Sequence, residues 1–335
     1  MAPVRILVRA PNWLGDVVLS VAAVRDVRRN FPDARLAVVA CAAVAGLYAA
    51  VGEVDDVLIS QGLRADAAAL RGRFDTAILL TNSFGTALAV RRAGIPERWG
   101  WATEGRGVLL TRAAPVPGRL RGQNQVYYYR AMLAAMGLDV SAVADTALLC
   151  PPEWDARGAE LLDDARPWIG LSPGAQFGTA KRWLPERFAA VAQRLAAESG
   201  AGVAILGTAF ERPLAERIGS LLSVPTVDLC GRTALPELMG VLGRLRLLVS
   251  NDSGSMHVAA ALGTGVVAVF GPTDWRETAP VGQAHRLVRE PVHCSPCLLR
   301  ECPIDHRCMR RVTVDRVLDE ARGLMAESAR ATAPA

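Results

Sequence analysis

Residues 246–262 read RLLVSNDSGSMHVAAAL. An apolar run is followed by a turn of Asn, Asp, Ser and Gly, and then by an Ala-rich segment. A strand over 246–250 passing through that turn into a helix over 254–262 is the unit from which parallel α/β sheets are wound. The same order recurs along the chain. WIGLS (168–172) leads through PGAQFGTAKRW to a helix over 185–199 that Pro185 can open. GVAIL (202–206) leads through Gly207-Thr208 to a helix over 211–222, and VRILVRA (4–10) leads through PNWLGD to a helix over 16–30. Further strands are expected at 35–40, 55–60, 75–81, 226–229 and 266–270, and further helices at 123–137, 153–165, 236–243 and 313–328. Near-continuous apolar strands alternating with helices imply a mainly parallel, helix-covered sheet.

The rhythm breaks over 139–167, around Pro151-Pro152, and then restarts. A chain of 335 residues fits two domains. The expected division is an N-terminal Rossmann-like domain over 1–152 and a C-terminal one over 153–312, with a final helix over 313–328. The fold class is α/β, two doubly wound domains facing a central cleft. Apolar residues make up 51% and charged residues 21%, which excludes a disordered chain. The first residues, MAPVRILVRAPNW, lack the apolar core and cleavage site of a signal peptide, and no charge-free apolar run is long enough to span a bilayer. The expectation is a cytoplasmic, monomeric protein. A net charge of +5 suits an anionic substrate or contact with the inner membrane face, and no nucleic-acid motif accompanies it.

In open parallel sheets ligands bind beyond the carboxyl ends of the strands, so the residues that follow each strand are the site candidates. Asp252, Ser253, Gly254 and His257 follow 246–250. The first-turn N–H groups of the next helix can receive an anion, a diphosphate among them; N-capping by Asp252 or Ser253 is the alternative. Gly174 and Gly207-Thr208 should lie beside this turn. Of 38 basic residues only Lys181 is a lysine and the other 37 are arginine. A compact ammonium is therefore expected at 181, against a departing phosphate. Asp16 opens the first long helix, either as a helix-start acid or as a general base, and Asn12 shapes its loop or touches the acceptor. Arg64 and Arg106 stand in Arg-bearing stretches that could frame an acidic acceptor.

Cys294, Cys297, Cys302 and Cys308 form the segment HCSPCLLRECPIDHRC. One C-x2-C pair with two later Cys allows a structural tetrahedral zinc, with His293 or His306 as substitutes. The C-x5-C spacing departs from the usual zinc pattern, and free thiols or disulfides remain open. A nicotinamide enzyme is disfavoured, because no GxGxxG follows the first strand. A non-enzymatic metal or interaction module built on 293–308 is a third reading.

APNWLGDVVLS, SPGAQFGTAKRW, NDSGSMHVAAALG and FGPTDWRETAP, in that order, resemble the ADP-heptose:lipopolysaccharide heptosyltransferases, glycosyltransferase family 9, over about residues 4–325. The PGAxFGxAKRW form and the Cys segment lean towards the type II enzymes. The resemblance implies a GT-B fold whose last helix, 313–328, packs back on the first domain. It implies inverting transfer of L-glycero-D-manno-heptose from ADP-heptose to the inner core of lipopolysaccharide, with no cofactor or catalytic metal. It casts Asp16 as base, Lys181 as donor-phosphate lysine, and Asp252, Ser253, Gly254 and His257 as the segment that meets sugar and phosphates. Heptosyltransferase I, or a GT-B enzyme using another nucleotide sugar, is the nearest alternative.

Overall fold

The computed structural model describes residues 4–163, 165–282 and 284–331. Its contacts divide the chain into two compact units, Met1–Thr146 and Ala147–Ala335. The division falls ahead of the Pro151-Pro152 pair because Leu148 N donates to Ala261 O at 2.8 Å, which ties the connecting segment to the second unit.

The first unit holds strands β1 (Arg5–Arg9), β2 (Arg35–Ala40), β3 (Asp56–Ile59), β4 (Thr76–Leu79), β5 (Glu97–Trp101) and β6 (Arg112–Ala114). All are parallel, in the order β3-β2-β1-β4-β5-β6. The second unit holds β7 (Trp168–Ser172), β8 (Gly202–Ile205), β9 (Thr226–Asp228), β10 (Leu245–Asn251), β11 (Val266–Phe270) and β12 (His285–Arg289), also parallel, in the order β12-β11-β10-β7-β8-β9. Counted from its own first strand, each sheet is wound 3-2-1-4-5-6. That is the doubly wound dinucleotide-binding order, whose ligand crevice lies where the winding reverses. The reversal falls between β1 and β4 in one unit and between β7 and β10 in the other.

Burial explains why these segments form strands. Every residue of β4, β7, β8 and β11 is buried, as a parallel strand covered on both faces requires. The helix Pro185–Ser199 starts on its proline and stops at Gly200, whose φ of +67° only glycine adopts at low cost. Strands β5, β6 and β12 have no counterpart in the sequence reading. They lie at or next to sheet edges and carry Arg98, Arg112, Arg286 and Arg289, so they lack the apolar run that marks a central strand.

The last helix, Val314–Ala331, was expected on the first domain and instead joins the core of the second unit. Val317, Leu318, Ala321 and Leu324 are buried there with Leu247, Val267 and Leu195. Its apolar stripe matches the face that β10–β12 leave open, and the Arg322–Glu198 and Arg194–Asp315 pairs align it with the helix Pro185–Ser199. Among the described residues no helix is long and apolar enough to cross a membrane.

Candidate active site

At the second reversal, β7 delivers the loop Pro173–Arg182 and β10 delivers Asn251–Gly254. Asn251, fully buried, joins the two: its Oδ1 accepts from Trp183 N at 2.9 Å and its Nδ2 donates to Pro173 O at 2.7 Å. The sequence reading passed over this residue. The signal available was an amide at the buried end of an otherwise apolar strand.

The joined loops bring Lys181 to Asp252. Lys181 Nζ lies 2.6 Å from Asp252 Oδ2, and both side chains are buried. The same oxygen accepts from Thr273 Oγ1 at 2.6 Å and from Thr278 Oγ1 at 3.4 Å. The ammonium also lies 5.0 Å from the centre of the Phe177 ring. A desolvated lysine so held is a point charge ready for an anion, with a carboxylate that balances it meanwhile.

The helix Gly254–Ala261 begins at Ser253, and no side chain caps it. The N-capping alternative is therefore set aside. The Ser253 hydroxyl turns to its neighbours instead, 3.0 Å from Ser250 Oγ and 2.9 Å from Ser255 Oγ, while Ser255 Oγ is 2.7 Å from Ser172 Oγ. Four hydroxyls, two buried and two partly buried, and uncapped N–H groups thus converge at a helix N-terminus beside a lysine. His257, one turn on, is buried, and its Nδ1 hydrogen-bonds to nothing among the described residues. Burial pushes its pKa down to about 4, with nearby Asp252 opposing and Lys181 assisting, so the ring is neutral.

Gly174 and Gly207 have a reason that the spacing alone did not show. A Cβ on Gly174 would fall 1.7 Å from Glu211 Oε1, and one on Gly207 would fall 2.9 Å from Glu211 Oε2. The buried Glu211 carboxylate fills the space the two glycines leave. Thr208 and Glu211 form a capping box, Thr208 N donating to Glu211 Oε2 at 2.7 Å. The T-x-x-E spacing over 208–211 was the signal for it. The Thr208 hydroxyl, expected on the donor, also donates to Glu211 Oε2, at 3.0 Å.

At the first reversal, Asp16 stands in the first turn of the helix Leu14–Asn30, where the N-terminal dipole favours a carboxylate. The buried Tyr129 hydroxyl hydrogen-bonds to it; burial, and then the Asp16 charge, hold that phenol well above its ordinary pKa. Asn12 is exposed, and its Oδ1 accepts from Arg9 Nη2 at 3.1 Å. Arg64 is exposed in the first turn of the helix Leu63–Ala69, which follows β3. Arg106 corrects the expectation of an acceptor contact. It is fully buried, with Nε donating to Trp101 O at 2.8 Å and Nη1 to Thr81 O, so it braces the ends of β4 and β5 from within.

The tetrahedral zinc that the Cys spacing allowed has no counterpart. Among the described residues no group of three or more His, Cys, Asp or Glu could hold a metal ion, and Cys294, Cys297, Cys302 and Cys308 are free thiols. Their segment is occupied otherwise. Cys308 is buried against Gly271, Cys297 N donates to Pro272 O, and the His306 ring bonds to Ala180 O at 2.7 Å, supporting the loop that carries Lys181.

The family described as glycosyltransferase family 9 (heptosyltransferase) matches residues 64–307. Lipopolysaccharide heptosyltransferase 2 of Escherichia coli K12 is 30% identical, over 96% of this chain and 98% of that protein. The chain belongs to glycosyltransferase family 9. Lipooligosaccharide heptosyltransferase 2 of Haemophilus influenzae is also 30% identical, over 85% of this chain and 88% of its own. The solved structure of E. coli ADP-heptose lps heptosyltransferase II has a TM-score of 0.84 at 29% identity, covering 97% of this chain and 99% of that one. The two parallel six-stranded sheets are thus those of a GT-B glycosyltransferase.

Proposed function

We propose that this family 9 enzyme is a heptosyltransferase of type II, moving L-glycero-D-manno-heptose from ADP-heptose onto the inner-core heptose of lipopolysaccharide. The observation that carries the reading is the chain's single lysine, buried beside serine hydroxyls and an uncapped helix start, in a chain similar over nearly its whole length to heptosyltransferases 2. That combination suits a nucleotide diphosphate.

The reaction is a direct displacement with inversion. The acceptor hydroxyl oxygen forms a bond to the anomeric carbon, and its proton passes to Asp16. The bond from that carbon to the β-phosphate oxygen breaks, and ADP leaves with the electron pair. Lys181 and the amides of Ser253–Ser255 stabilise the charge that develops on the leaving oxygen. Lys181 exchanges part of its interaction with Asp252 for the phosphate, and Asp252 retains the hydroxyls of Thr273 and Thr278. Gly174, Gly207 and Thr208 hold Glu211, whose carboxylate accepts hydroxyls of the donor ribose. Neutral His257 supports the phosphate-binding turn from below. Asn12 and Arg64 meet the acceptor. No metal takes part. The enzyme works at the cytoplasmic membrane face, as a monomer, where its lipid-linked acceptor is presented.

Incubation with ADP-heptose and defined truncated lipopolysaccharides, followed by mass spectrometry of the glycolipid, tests the assignment. One added heptose on an acceptor that already carries one supports it. Addition only to a heptose-free acceptor, or only from a uridine or guanosine donor, overturns it.

A further inference from the structure

The second unit contains a cavity of ≈ 530 Å³ at the carboxyl ends of β11 and β12 that the proposed reaction does not use. Four arginines line it, Arg276, Arg289, Arg307 and Arg311, against two carboxylates, Asp274 and Glu290. Most of these charges are already matched. Arg276 grips Asp274 with two bonds of 2.9 and 2.7 Å, Arg307 meets Asp305 at 2.9 Å, and Glu290 pairs with Arg316. Among the described residues, Arg289 and Arg311 meet no carboxylate within ion-pair distance. Arg289 stands near enough to Asp274 to help hold that carboxyl below its ordinary pKa, so the wall as a whole carries four guanidinium groups against two carboxylates, an excess of two positive charges.

The guanidinium of Arg289 is also positioned. Its Cζ lies 5.0 Å from the centre of the Trp275 ring, a cation–π contact that places the guanidinium beside the cavity, where its N–H groups can meet an oxyanion. Thr273 lines the same cavity and donates to Asp252 Oδ2 at 2.6 Å, so one residue separates this space from the lysine site. An excess of two positive charges corresponds to a phosphate monoester, which carries about −1.5 to −2 at neutral pH; a carboxylate needs only one. The volume exceeds that of a phosphate, and the partly exposed Trp275 offers a face for the sugar that bears it.

We propose that this cavity binds a phosphate monoester carried by the acceptor saccharide, with Arg289 and Arg311 as its ligands. The acceptor assignment rests on the proposed transferase function; the anion site itself does not. The first test titrates inorganic phosphate, and then a hexose 6-phosphate, into the full chain saturated with ADP, by calorimetry. Binding in the presence of ADP that weakens at least tenfold in the double variant Arg289→Gln, Arg311→Gln supports the site. Equal binding by the double variant, or loss of binding when ADP is present, overturns it. Both arginines are exposed, and thermal melting of the variant verifies that it folds.

The second test compares kcat/KM for a phosphorylated acceptor and the same acceptor after phosphatase treatment. A preference of at least fivefold that falls to about one in the double variant supports the acceptor role, and an unchanged preference overturns it. Absence of any transfer with intact phosphate binding counts against the function alone. Transfer without phosphate binding counts against the cavity alone.

Discussion

The two units of this enzyme are wound alike and equipped differently. Both sheets follow the order 3-2-1-4-5-6, and both place their loops where the winding reverses. At the first reversal stands a carboxylate, Asp16, in a helix first turn against a buried tyrosine. At the second stand a lysine, a serine cluster and an uncapped helix N-terminus. One backbone plan thus supports opposite charges at equivalent places. The backbone hydrogen bonds of the sheet set where a loop emerges, while the loop side chains, which those bonds do not constrain, set what it does.

The comparison breaks hardest at its acid. Asp16→Asn removes the proposed base with little change of shape. The expected loss in kcat is roughly 10²–10⁴, with ADP affinity by calorimetry within twofold of the parent. A parallel fall in ADP affinity would make Asp16 a structural residue. Lys181→Ala should lower kcat by roughly 10²–10³ and weaken ADP binding. It also strands Asp252 in a buried site, so melting temperature should fall as well. Lys181→Arg should not restore the rate, because a planar guanidinium does not reproduce a compact ammonium 2.6 Å from Asp252.

His257 distinguishes the second unit through pH. Its folded pKa of about 4 lies below the ordinary 6.5, so the unfolded chain binds more protons between those values. Its contribution is complete above about pH 6.5 and is lost as pH falls towards 4, a total of about 3 kcal/mol. Denaturant melts of the parent and of His257→Gln across that window should converge by about this amount at the acid end. Parallel curves would refute it.

Gly174→Ala puts a methyl into the Glu211 carboxylate and should cost about 1–3 kcal/mol, with part of the loss recovered in the double variant Gly174→Ala, Glu211→Ala. No recovery would mean that Glu211 is not the obstacle. The smallest effect is expected at Arg64. Arg64→Ala should raise KM for the acceptor several-fold and leave ADP affinity alone; an unchanged KM removes Arg64 from the acceptor site.

Central strands were legible because burial on both faces demands unbroken apolar runs. VVAVF at 266–270 and WIGLS at 168–172 coincide with β11 and β7 to the residue. The edge strands β6 and β12 were not, because a half-covered strand tolerates arginine, whereas the edge strands β3 and β9 carry none and were read. Arg64 and Arg106 look equivalent in the sequence. One lies exposed on a helix and the other is sealed between β4 and β5, a difference decided by residues far away in the chain. The cysteine segment had a spacing compatible with a metal, yet spacing does not determine the direction of a side chain.

Taken alone, the order of residues determined the alternation of strands and helices, the doubling of the sheet, the loops that carry Asp16, Lys181 and Asp252, and the family. These follow from periodicity and from motifs short enough to read locally. Only the tertiary structure decided that Lys181 meets Asp252, that Glu211 occupies the gap left by two glycines, that Arg106 is a brace, and that the last helix completes the second core rather than the first. Each depends on which distant surfaces exclude water together, and that is a property of the packed chain rather than of any stretch within it.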